Sequence, residues 1–315
     1  MAYGGTKAGT SGSYSQSGVQ GSGKIAGDHG SRGIIAGGTT DPPHVNTIDY
    51  INIGTIADAI DFGDLATANY YVGGFSDGIR GAICGGVPSN ELIQVLTILT
   101  TGNAVTHGQI SDGRYLTTGT SDGSRGVMGG GYAPPAPNAV VSTVDKISCT
   151  TFADGIDFGE VSQARSSLAC CTNGSRAVWA GGGAPSRTDV IDYRLIGTDG
   201  VATDFGNLLA VGDSIMHGNL SDGNRGVYGP GEGRPNAVFE YVIISTTANA
   251  LDYGEMSEAR YACGACSDGS RGIFAGGRDP SENVIDYFPI AKGGTAVDFG
   301  NLTQARYGSA SFAGG

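Results

Sequence analysis

Short apolar stretches alternate with clusters of glycine, aspartate, asparagine and serine along most of this chain. One complete unit begins at Arg260 and carries such stretches at Ala262–Cys266, Arg271–Gly277, Asn283–Tyr287 and Ala296–Gly300. Runs of this length, bounded by turn-forming residues and spaced by about ten residues, are typical of β-strands. No segment shows the periodicity of an amphipathic helix. The pattern therefore predicts an all-β unit of four strands.

The unit recurs six times, with a period of 45 to 51 residues. An arginine opens the second strand of every copy, at Arg32, Arg80, Arg125, Arg176, Arg225 and Arg271. An acidic or amide residue of the third strand precedes a ring of the fourth strand by 13 positions in each copy, and that ring is phenylalanine or tyrosine except at His107. A fixed period of this kind indicates an array of small units, none of which buries its apolar face alone.

The ends of the chain bear on how the array closes. A glycine two residues before each recurrent arginine predicts a tight hairpin between the first and second strands. The first strand has one candidate too many, because Lys24–Ala26 and Ser309–Ala313 compete for one place. Ser309–Ala313 follows Arg306 and a tyrosine, as the equivalent strand follows Arg260. We predict a six-bladed β-propeller of four-stranded antiparallel blades, closed into a ring by the C-terminal strand.

Two regions differ in composition. Residues 24–315 carry the repeats, and we expect them to form one propeller domain, since closed arrays of this length are single domains. Residues 1–23 are rich in glycine, serine and threonine, which is typical of a flexible segment. We expect this N-terminal arm to be held by a neighbouring protein in an assembly.

The order of motifs in the unit resembles the kelch repeat. It consists of Arg-Tyr, a small-residue strand, an apolar strand ending in Gly-Gly, Asn-Val-Ile-Asp-Tyr and a final aromatic ring. The resemblance covers residues 25–313 and implies a propeller of the kelch or galactose-oxidase type. The tryptophan of the kelch fourth strand is replaced here by phenylalanine or tyrosine, and Trp179 lies in a second strand. The repeated sequence Ser-Asp-Gly-Ser-Arg-Gly-Val with Asp-Phe-Gly also looks like repeat proteins of tailed marine bacteriophages. This second resemblance implies a virion component.

Charge excludes one class of partner. The net charge is -12, with a pI near 4.6, whereas nucleic-acid binding depends mostly on attraction between cations and phosphates. No apolar run approaches the ~20 residues of a membrane span, and the N-terminus lacks the apolar core of a signal peptide. We expect neither nucleic acid nor membrane insertion, and assembly in a host cytoplasm. Four of the six cysteines, Cys170, Cys171, Cys263 and Cys266, stand where other copies have small residues, which favours buried thiols over disulfides or a zinc site.

Candidate chemical motifs favour structural roles. Asp-Phe-Gly occurs four times, at Asp61, Asp157, Asp204 and Asp298. A kinase would use this triplet to hold magnesium, but the other kinase motifs are missing. We therefore interpret the aspartate as a turn cap and the ring as packing between blades.

The recurrent arginine could form a polyvalent anion site. One arginine per blade, facing a recurrent aspartate, favours instead a repeated ion pair or a clamp on backbone carbonyls.

Catalysis and cofactors are not indicated. His29, His44, His107 and His217 occupy unrelated repeat positions, which predicts neither a metal cluster nor a Ser-His-Asp arrangement. One carboxylate per hairpin is too few ligands for calcium. We therefore expect no catalytic residues, no metal and no cofactor.

The variable length of the repeat predicts where a partner binds. The interval from the recurrent arginine to the acidic or amide landmark varies from 14 to 20 residues. This variation lies in the connection after the second strand, which in an up-and-down blade shares one face with the loops leading into Arg114, Arg165, Arg260 and Arg306. We call this face the variable face. Its candidate binding residues are Thr40, Asp41, His44, Tyr132, Pro135, Arg187, Glu232, Arg234, Arg278 and Asp279. Tolerated loop drift is the alternative interpretation.

These observations lead to a functional hypothesis. We expect a non-enzymatic virion protein of a bacteriophage, in the tail, fibre or capsid surface, that contacts other virion proteins through its arm. The variable face would serve host attachment or display, with a surface receptor or glycan as partner. The alternative is a glycan-binding lectin or a propeller enzyme with its ligand over the central channel.

Overall fold

Six main antiparallel sheets form a ring in the described part of the protein. The computed structural model describes residues 30–134, 139–183, 186–212, 218–232, 237–280 and 282–315. The predicted all-β six-bladed propeller is confirmed. Among the described residues, no helix is both long and apolar enough to cross a bilayer.

Each blade has four strands, which we call first to fourth from the axis to the rim. The strands of the first and second blades are Ala310–Gly314, Arg32–Ala36, Thr47–Asn52 and Ile60–Asp64, then Gly73–Ser76, Arg80–Cys84, Leu92–Thr97 and Val105–Gln109. Those of the third and fourth blades are Thr118–Ser121, Arg125–Gly129, Thr143–Ser148 and Ile156–Glu160, then Ala169–Thr172, Arg176–Ala180, Thr188–Leu195 and Thr203–Gly212. Those of the fifth and sixth blades are Asn219–Ser221, Arg225–Tyr228, Val238–Ile243 and Leu251–Glu255, then Gly264–Ser267, Arg271–Gly277, Glu282–Pro289 and Val297–Asn301.

Two short additions accompany the third blade. Tyr132–Ala133 and Ala139–Val140 form a small hairpin within a variable connection. Gly200–Val201, from the fourth blade, pairs in parallel with the outer strand of the third.

The C-terminal strand closes the ring. Ala310–Gly314 pairs antiparallel with Arg32–Ala36, and Phe312 lies opposite Ile34. The same strand adjoins the first strands of the second and sixth blades. The predicted closure is therefore confirmed. The competing segment Lys24–Ala26 and the arm at residues 1–23 lie outside the described residues.

The hydrophobic core is divided among the blade interfaces. Phe62 of the first blade packs in one cluster with Ile83, Leu96 and Ile98 of the second blade, and all four are almost fully buried. Equivalent clusters join the other neighbours. A blade thus buries its apolar face only against the next one, which is the expected energetic basis of a repeat array.

The residue after each recurrent arginine is small because the previous blade packs onto it. A Cβ on Gly81 would lie 1.9 Å from Cε2 of Phe312, and a Cβ on Gly126 would lie 2.1 Å from Cζ of Phe75. The only larger residue at this position is Ala177. In the blade before Ala177, the first-strand position that is Phe312 in the first blade and Phe75 in the second is occupied by Thr120. Backbone and ring therefore approach so closely that a methyl group has no room at the two phenylalanine sites.

The glycine of Asp-Phe-Gly lacks a side chain for a different reason. The turn between the third and fourth strands of the next blade crosses directly over it, so that a Cβ on Gly159 would lie 2.0 Å from the carbonyl oxygen of Gly200. The crossing turn hydrogen-bonds to the outer strand, as Ala202 N–H does to the Glu160 carbonyl at 2.8 Å. Equivalent backbone bonds are donated by Ala59, Gly102, Gly155, Ala250 and Gly294. Each outer strand is thereby covered by its neighbour, and we call these turns the rim latches.

Candidate functional site: the variable face

The variable connections and the loops that lead into the first strands lie on one face. Among the described residues, isolated β-bridges join them in five of the blades, for example Thr39 to Tyr307, Tyr115 to Tyr132 and Tyr261 to Arg278. The hairpins that carry the uniform turns connect the opposite ends of these strands. The structure thus places the predicted variable connections beside the entrance of the axial channel.

A ring of left-handed residues surrounds this entrance. Tyr71, Leu116, Ser167, Ala262 and Gly308 each lie two residues before a first strand and have φ values between 54° and 67°. Backbone hydrogen bonds of 2.8 to 3.0 Å link Tyr71 to Gly308, Leu116 to Tyr71, Ser167 to Leu116 and Gly308 to Ala262. Positive φ is unfavourable for residues with a Cβ and is found at functional sites more often than elsewhere. The entrance is therefore a constrained part of the backbone.

Tyrosines gather at this ring. Tyr71, Tyr115, Tyr132, Tyr261 and Tyr307 pack around Leu116 and Ala262, and we call these five rings the tyrosine cluster. Tyr307 is 3% exposed, whereas the other four rings are half-buried.

Two further rings extend the tyrosine cluster. Tyr70 lies 4.4 Å from Tyr71, and His44 stacks on Tyr70 at 4.2 Å between ring centroids. Burial raises the pKa of Tyr71, Tyr115 and Tyr261. The phenols of these three residues are therefore neutral hydroxyl groups at physiological pH, able to donate and accept hydrogen bonds.

Charged residues alternate beside the tyrosine cluster. Arg278 of the sixth blade lies 3.5 Å from Asp41 of the first, and its guanidinium sits 4.9 Å from the Tyr307 ring centroid. Arg187 of the fourth blade donates a 3.3 Å hydrogen bond to the backbone carbonyl of Glu232 in the fifth. Both contacts are exposed, so each contributes little to stability. They place two guanidinium groups and the Asp41 carboxylate on this face.

The predicted binding residues fall into three groups. Asp41, His44, Tyr132, Arg187, Glu232 and Arg278 belong to the contacts just described. Thr40 donates a 3.0 Å hydrogen bond within its own turn, and Asp279 is an exposed residue with φ of 88°. Pro135 and Arg234 lie outside the described residues. Sequence reasoning missed Tyr70, Tyr71, Tyr115, Tyr261 and Tyr307 as site residues, although tyrosine after the lead-in arginine was a visible signal.

The recurrent arginines act between blades and within hairpins. Arg32, Arg176 and Arg271 donate hydrogen bonds of 2.9 to 3.1 Å to backbone carbonyls of the next blade. Arg125 and Arg225 instead pair with the hairpin aspartate three residues earlier, at 3.1 and 2.7 Å.

Arg80 combines both modes of binding. It lies 2.9 Å from Asp77 of its own hairpin and donates to the Cys149 carbonyl of the next blade at 2.5 Å. All these arginine contacts are internal to the propeller, and they account for the recurrence of the residue without a ligand.

The aspartates of the third strand have other partners. They pair with the arginines that lead into the first strands: Arg114 with Asp145 at 2.9 Å, Arg165 with Asp192, Arg260 with Asp286 at 3.0 Å and Arg306 with Asp49 at 3.0 Å. Every one of these side chains is almost fully buried. Desolvation lowers the pKa of Arg165 and Arg306, and the adjoining aspartates oppose this shift. These carboxylates are committed to the structure.

The Asp-Phe-Gly aspartates are exposed. Asp157 and Asp298 each accept a 3.0 Å hydrogen bond from the backbone N–H two residues later, as a turn cap does. Asp61 and Asp204 are exposed at the equivalent positions. The rings that follow these four residues are at most 7% exposed.

The axial channel is narrow. Gly74, Gly119, Cys170, Asn219, Ala265 and Ser311 face the axis from the six first strands. They border a cavity of about 30 Å³, which has room for about one water molecule. A sugar or a cofactor is too large for it, so a ligand of this face must lie over the entrance.

Buried thiols predict an alkaline limit to stability. All six cysteines are free and buried, and desolvation raises the pKa of Cys263 to about 11 and of Cys266 to about 12. Unfolded thiols ionise near pH 9 while the folded ones stay protonated, so stability is fully present below pH 9 and is lost as pH rises through 12. We expect the free energy of unfolding to fall by up to about 1.4 kcal/mol per pH unit and thiol in this window.

Denaturant titrations between pH 7 and 11 measure this slope. The matched variant Cys263→Ala/Cys266→Ala should show a shallower decline than the parent, because two of the titrating groups are gone. Equal slopes in the two proteins would contradict the assignment.

Comparison with known proteins gives the fold and no more. No protein-family model matches the chain, and no curated protein matches it. Solved structures do match, and one of them, the structure of YjhT, aligns with a TM-score of 0.60 and 14% sequence identity, over 78% of this chain and 88% of that one. At this identity the likeness supports a shared propeller fold.

Proposed function

We propose that this chain is a non-enzymatic recognition protein of a tailed-bacteriophage virion, which presents its variable face to a receptor. The tyrosine cluster at the axial entrance carries this proposal. Tyrosines supply large, amphipathic contact areas at low cost in conformational entropy, and they are enriched among the residues that dominate binding energy. Here five of them, from four blades, converge onto the face whose loops vary.

The chemistry of the face supports binding over turnover. The four buried aspartates of the third strands are paired with arginines. Among the described residues, no three histidine, cysteine, aspartate or glutamate side chains lie close enough together to hold a metal ion. What the face offers is aromatic surface, neutral hydroxyl groups and a few exposed charges, which is the composition of a recognition surface.

The virion context has a different support. It comes from the repeated sequence Ser-Asp-Gly-Ser-Arg-Gly-Val with Asp-Phe-Gly, which looks like repeat proteins of tailed marine bacteriophages, and from the polar segment at residues 1–23. Antibody raised against residues 30–315 should label purified phage particles in electron micrographs. Deletion of residues 2–23 should leave the propeller folded and abolish its incorporation. Normal incorporation of the deleted protein would contradict anchoring through the arm.

The recognition role has its own test. Tyr261→Ser and Arg278→Ser remove a ring and a charge from the entrance, and we expect each to weaken attachment to host cells by about tenfold or more, because a central interface residue contributes upwards of ~1 kcal/mol. Attachment is measured as adsorption of labelled protein to cells. Ile56→Ser, at an exposed position in a turn between the third and fourth strands, is the matched control and should attach normally. Equal attachment by all three variants would contradict the assignment of the variable face as the receptor-binding surface.

A glycan-specific lectin or enzyme is the second candidate, and the position of the tyrosine cluster over the axis favours it. Aromatic faces pack well against the apolar faces of sugar rings. A glycan array with the parent and Tyr261→Ser distinguishes the candidates. Selective glycan binding without chemical change identifies a lectin, conversion of the bound glycan identifies an enzyme, and no glycan binding favours a protein receptor.

A further inference from the structure

The second blade differs from the other five on the face opposite the variable face. This face carries the hairpins between first and second strands and the turns between third and fourth strands, and we call it the uniform face. In the second blade a backbone hydrogen bond from Ile98 N–H to the Ile79 carbonyl joins the turn to the hairpin. The same bond, at 2.8 to 2.9 Å, is donated in the other blades by Ile53, Cys149, Ile196, Ile244 and Ile290. It therefore aligns the six blades residue by residue.

Two positions of this alignment are large and apolar in the second blade alone. The residue that accepts the bond is Ile79, whereas the other blades have Ser31, Ser124, Ser175, Asn224 and Ser270. The residue after the donor is Leu99, whereas the other blades have Gly54, Thr150, Gly197, Ser245 and Ala291. Ile79 is 68% exposed and Leu99 is 57% exposed. A single exposed aliphatic side chain is ordinary, but these two belong to one hydrogen-bonded corner, and we call them the Ile79–Leu99 patch.

The last strand of the ring ends beside this patch. Gly315 N–H donates a 2.8 Å hydrogen bond to the Gly78 carbonyl, in the hairpin that carries Ile79. A Cβ on Gly315 would lie 2.6 Å from Cδ2 of Leu99, and a Cβ on Gly314 would lie 2.5 Å from Cδ1 of Ile98. The backbone of residues 314 and 315 is therefore in direct contact with the corner of the second blade.

The first described residues lie at the same place. A Cβ on Gly30 would lie 2.0 Å from the carbonyl carbon of Gly314, so the two backbones touch. In the other blades the chain reaches this hairpin from its own first strand. In the first blade Ala310–Gly314 occupies that place, paired with Arg32–Ala36. The residues before Gly30 therefore have to approach from outside the sheet, next to the Ile79–Leu99 patch.

The segment before Gly30 has the reach and the chemistry to cover the patch. Lys24–Ala26 lies outside the described residues, and its Ile25 is the nearest large aliphatic residue before Gly30. An extended chain spans up to about 18 Å over the five residues between these positions. Gly30 touches Gly314, and the next residue along that strand touches Leu99. Because the segment is tethered at Gly30, its docking is intramolecular and is favoured over the docking of a separate molecule.

We propose that the Ile79–Leu99 patch is the docking site of this chain's own segment Lys24–Ala26, with Ile25 packed against the two side chains. The place that this segment could have taken in the ring is filled by the C-terminal strand, and burial on the uniform face removes its aliphatic surface from water. Residues 1–23 would then leave the propeller on the side opposite the variable face. The inference does not depend on the proposed function.

Limited digestion of the full-length protein with trypsin tests the docking. Trypsin cleaves after lysine, and the arm offers Lys7 and Lys24. In the variant Ile79→Ser/Leu99→Ser, which introduces serine as other blades have it, cleavage after Lys24 should be at least about tenfold faster than in the parent, because a docked segment is cut only when it opens. Cleavage after Lys7, outside the segment, should have the same rate in both proteins. Mass spectrometry of the released peptides measures both rates, and equal rates at Lys24 would overturn the proposal.

Further variants identify what covers the patch. Ile25→Ser should expose Lys24 as strongly as the patch variant does, and combining the changes should add nothing, because both remove one contact. Leu195→Ser is the matched control: it removes an aliphatic side chain that is 51% exposed at the end of the third strand of the fourth blade, and it should leave Lys24 protected. Equal loss of protection in this control would refute the location. A parent dimer that the patch variant dissociates in sedimentation equilibrium would make a second copy the occupant and would also overturn the proposal.

Discussion

Replacing Arg260 by alanine is expected to lower the free energy of unfolding by about 3–5 kcal/mol, because it leaves Asp286 as an unpaired charge in the interior. Both side chains are fully buried, and the arginine also donates a 2.9 Å hydrogen bond to the Gly276 carbonyl. Two further hydrogen bonds reach Asp286 from Ser257, and they cannot replace the lost cation. Equilibrium unfolding in denaturant measures the loss.

The chain contains its own control for this experiment. In the second blade, Asn69 and Gln94 occupy the positions of the arginine and the aspartate. Asn69 donates a 2.8 Å hydrogen bond to the Gly85 carbonyl, and Gln94 accepts a 3.0 Å hydrogen bond from the Thr67 N–H.

The double variant Arg260→Asn/Asp286→Gln copies this neutral solution into the sixth blade. It should recover most of the stability that Arg260→Ala loses. A double variant as unstable as the single one would show that the pair contributes through something other than charge balance.

Gly81→Ala should destabilise the fold by about 3 kcal/mol, at the upper end of the usual cost of overpacking. The new methyl group would lie 1.9 Å from Cε2 and 2.2 Å from Cζ of Phe312. Phe312 is 3% exposed and belongs to the strand that closes the ring. Neither the backbone nor the ring can move away without opening the interface between the first and second blades. Thermal and denaturant unfolding both report the change.

A double-mutant cycle tests the cause. Phe312→Thr copies Thr120, which stands before the blade that carries Ala177. In that background, Gly81→Ala should cost less than about 1 kcal/mol, and the difference is the coupling between the two residues. Gly54→Ala is the surface control, because the nearest atom to its Cβ is the Asn52 side-chain oxygen at 3.4 Å. Equal costs of Gly81→Ala with and without Phe312 would contradict steric conflict with that ring.

Much of the architecture could be predicted from local signals. Apolar runs, hairpin glycines and a fixed 13-residue spacing are properties of single blades, and the surplus first strand indicated how the ring closes. The ion pairs were harder. The third-strand aspartates were visible, but their partners are the arginines that lead into the first strands, at the other end of the blade sequence, and the more regular recurrent arginines bind elsewhere. Pairing across a sheet depends on side-chain direction, which spacing alone does not give.

The candidate sites were predictable only in part. The variable connections were identified by their lengths, whereas the tyrosine cluster depends on where five residues from four blades point around the axis. His107 was recognisable as an exception to the aromatic rule. That its ring meets Phe152 could not be predicted, because Phe152 arrives from a turn of the third blade. Contacts between units of a repeat are absent from the pattern of any one unit.

The rim latches determine how this propeller can join a larger assembly. A sheet edge with free N–H and C=O groups invites strand addition by another chain. Here each outer strand already accepts backbone hydrogen bonds from the turn of the next blade. Glu160 accepts one from Ala202, and Tyr253 accepts one from Gly294. Copies of this propeller can therefore lie close together without polymerising through their edges, and a neighbouring protein has to recognise side chains and loops.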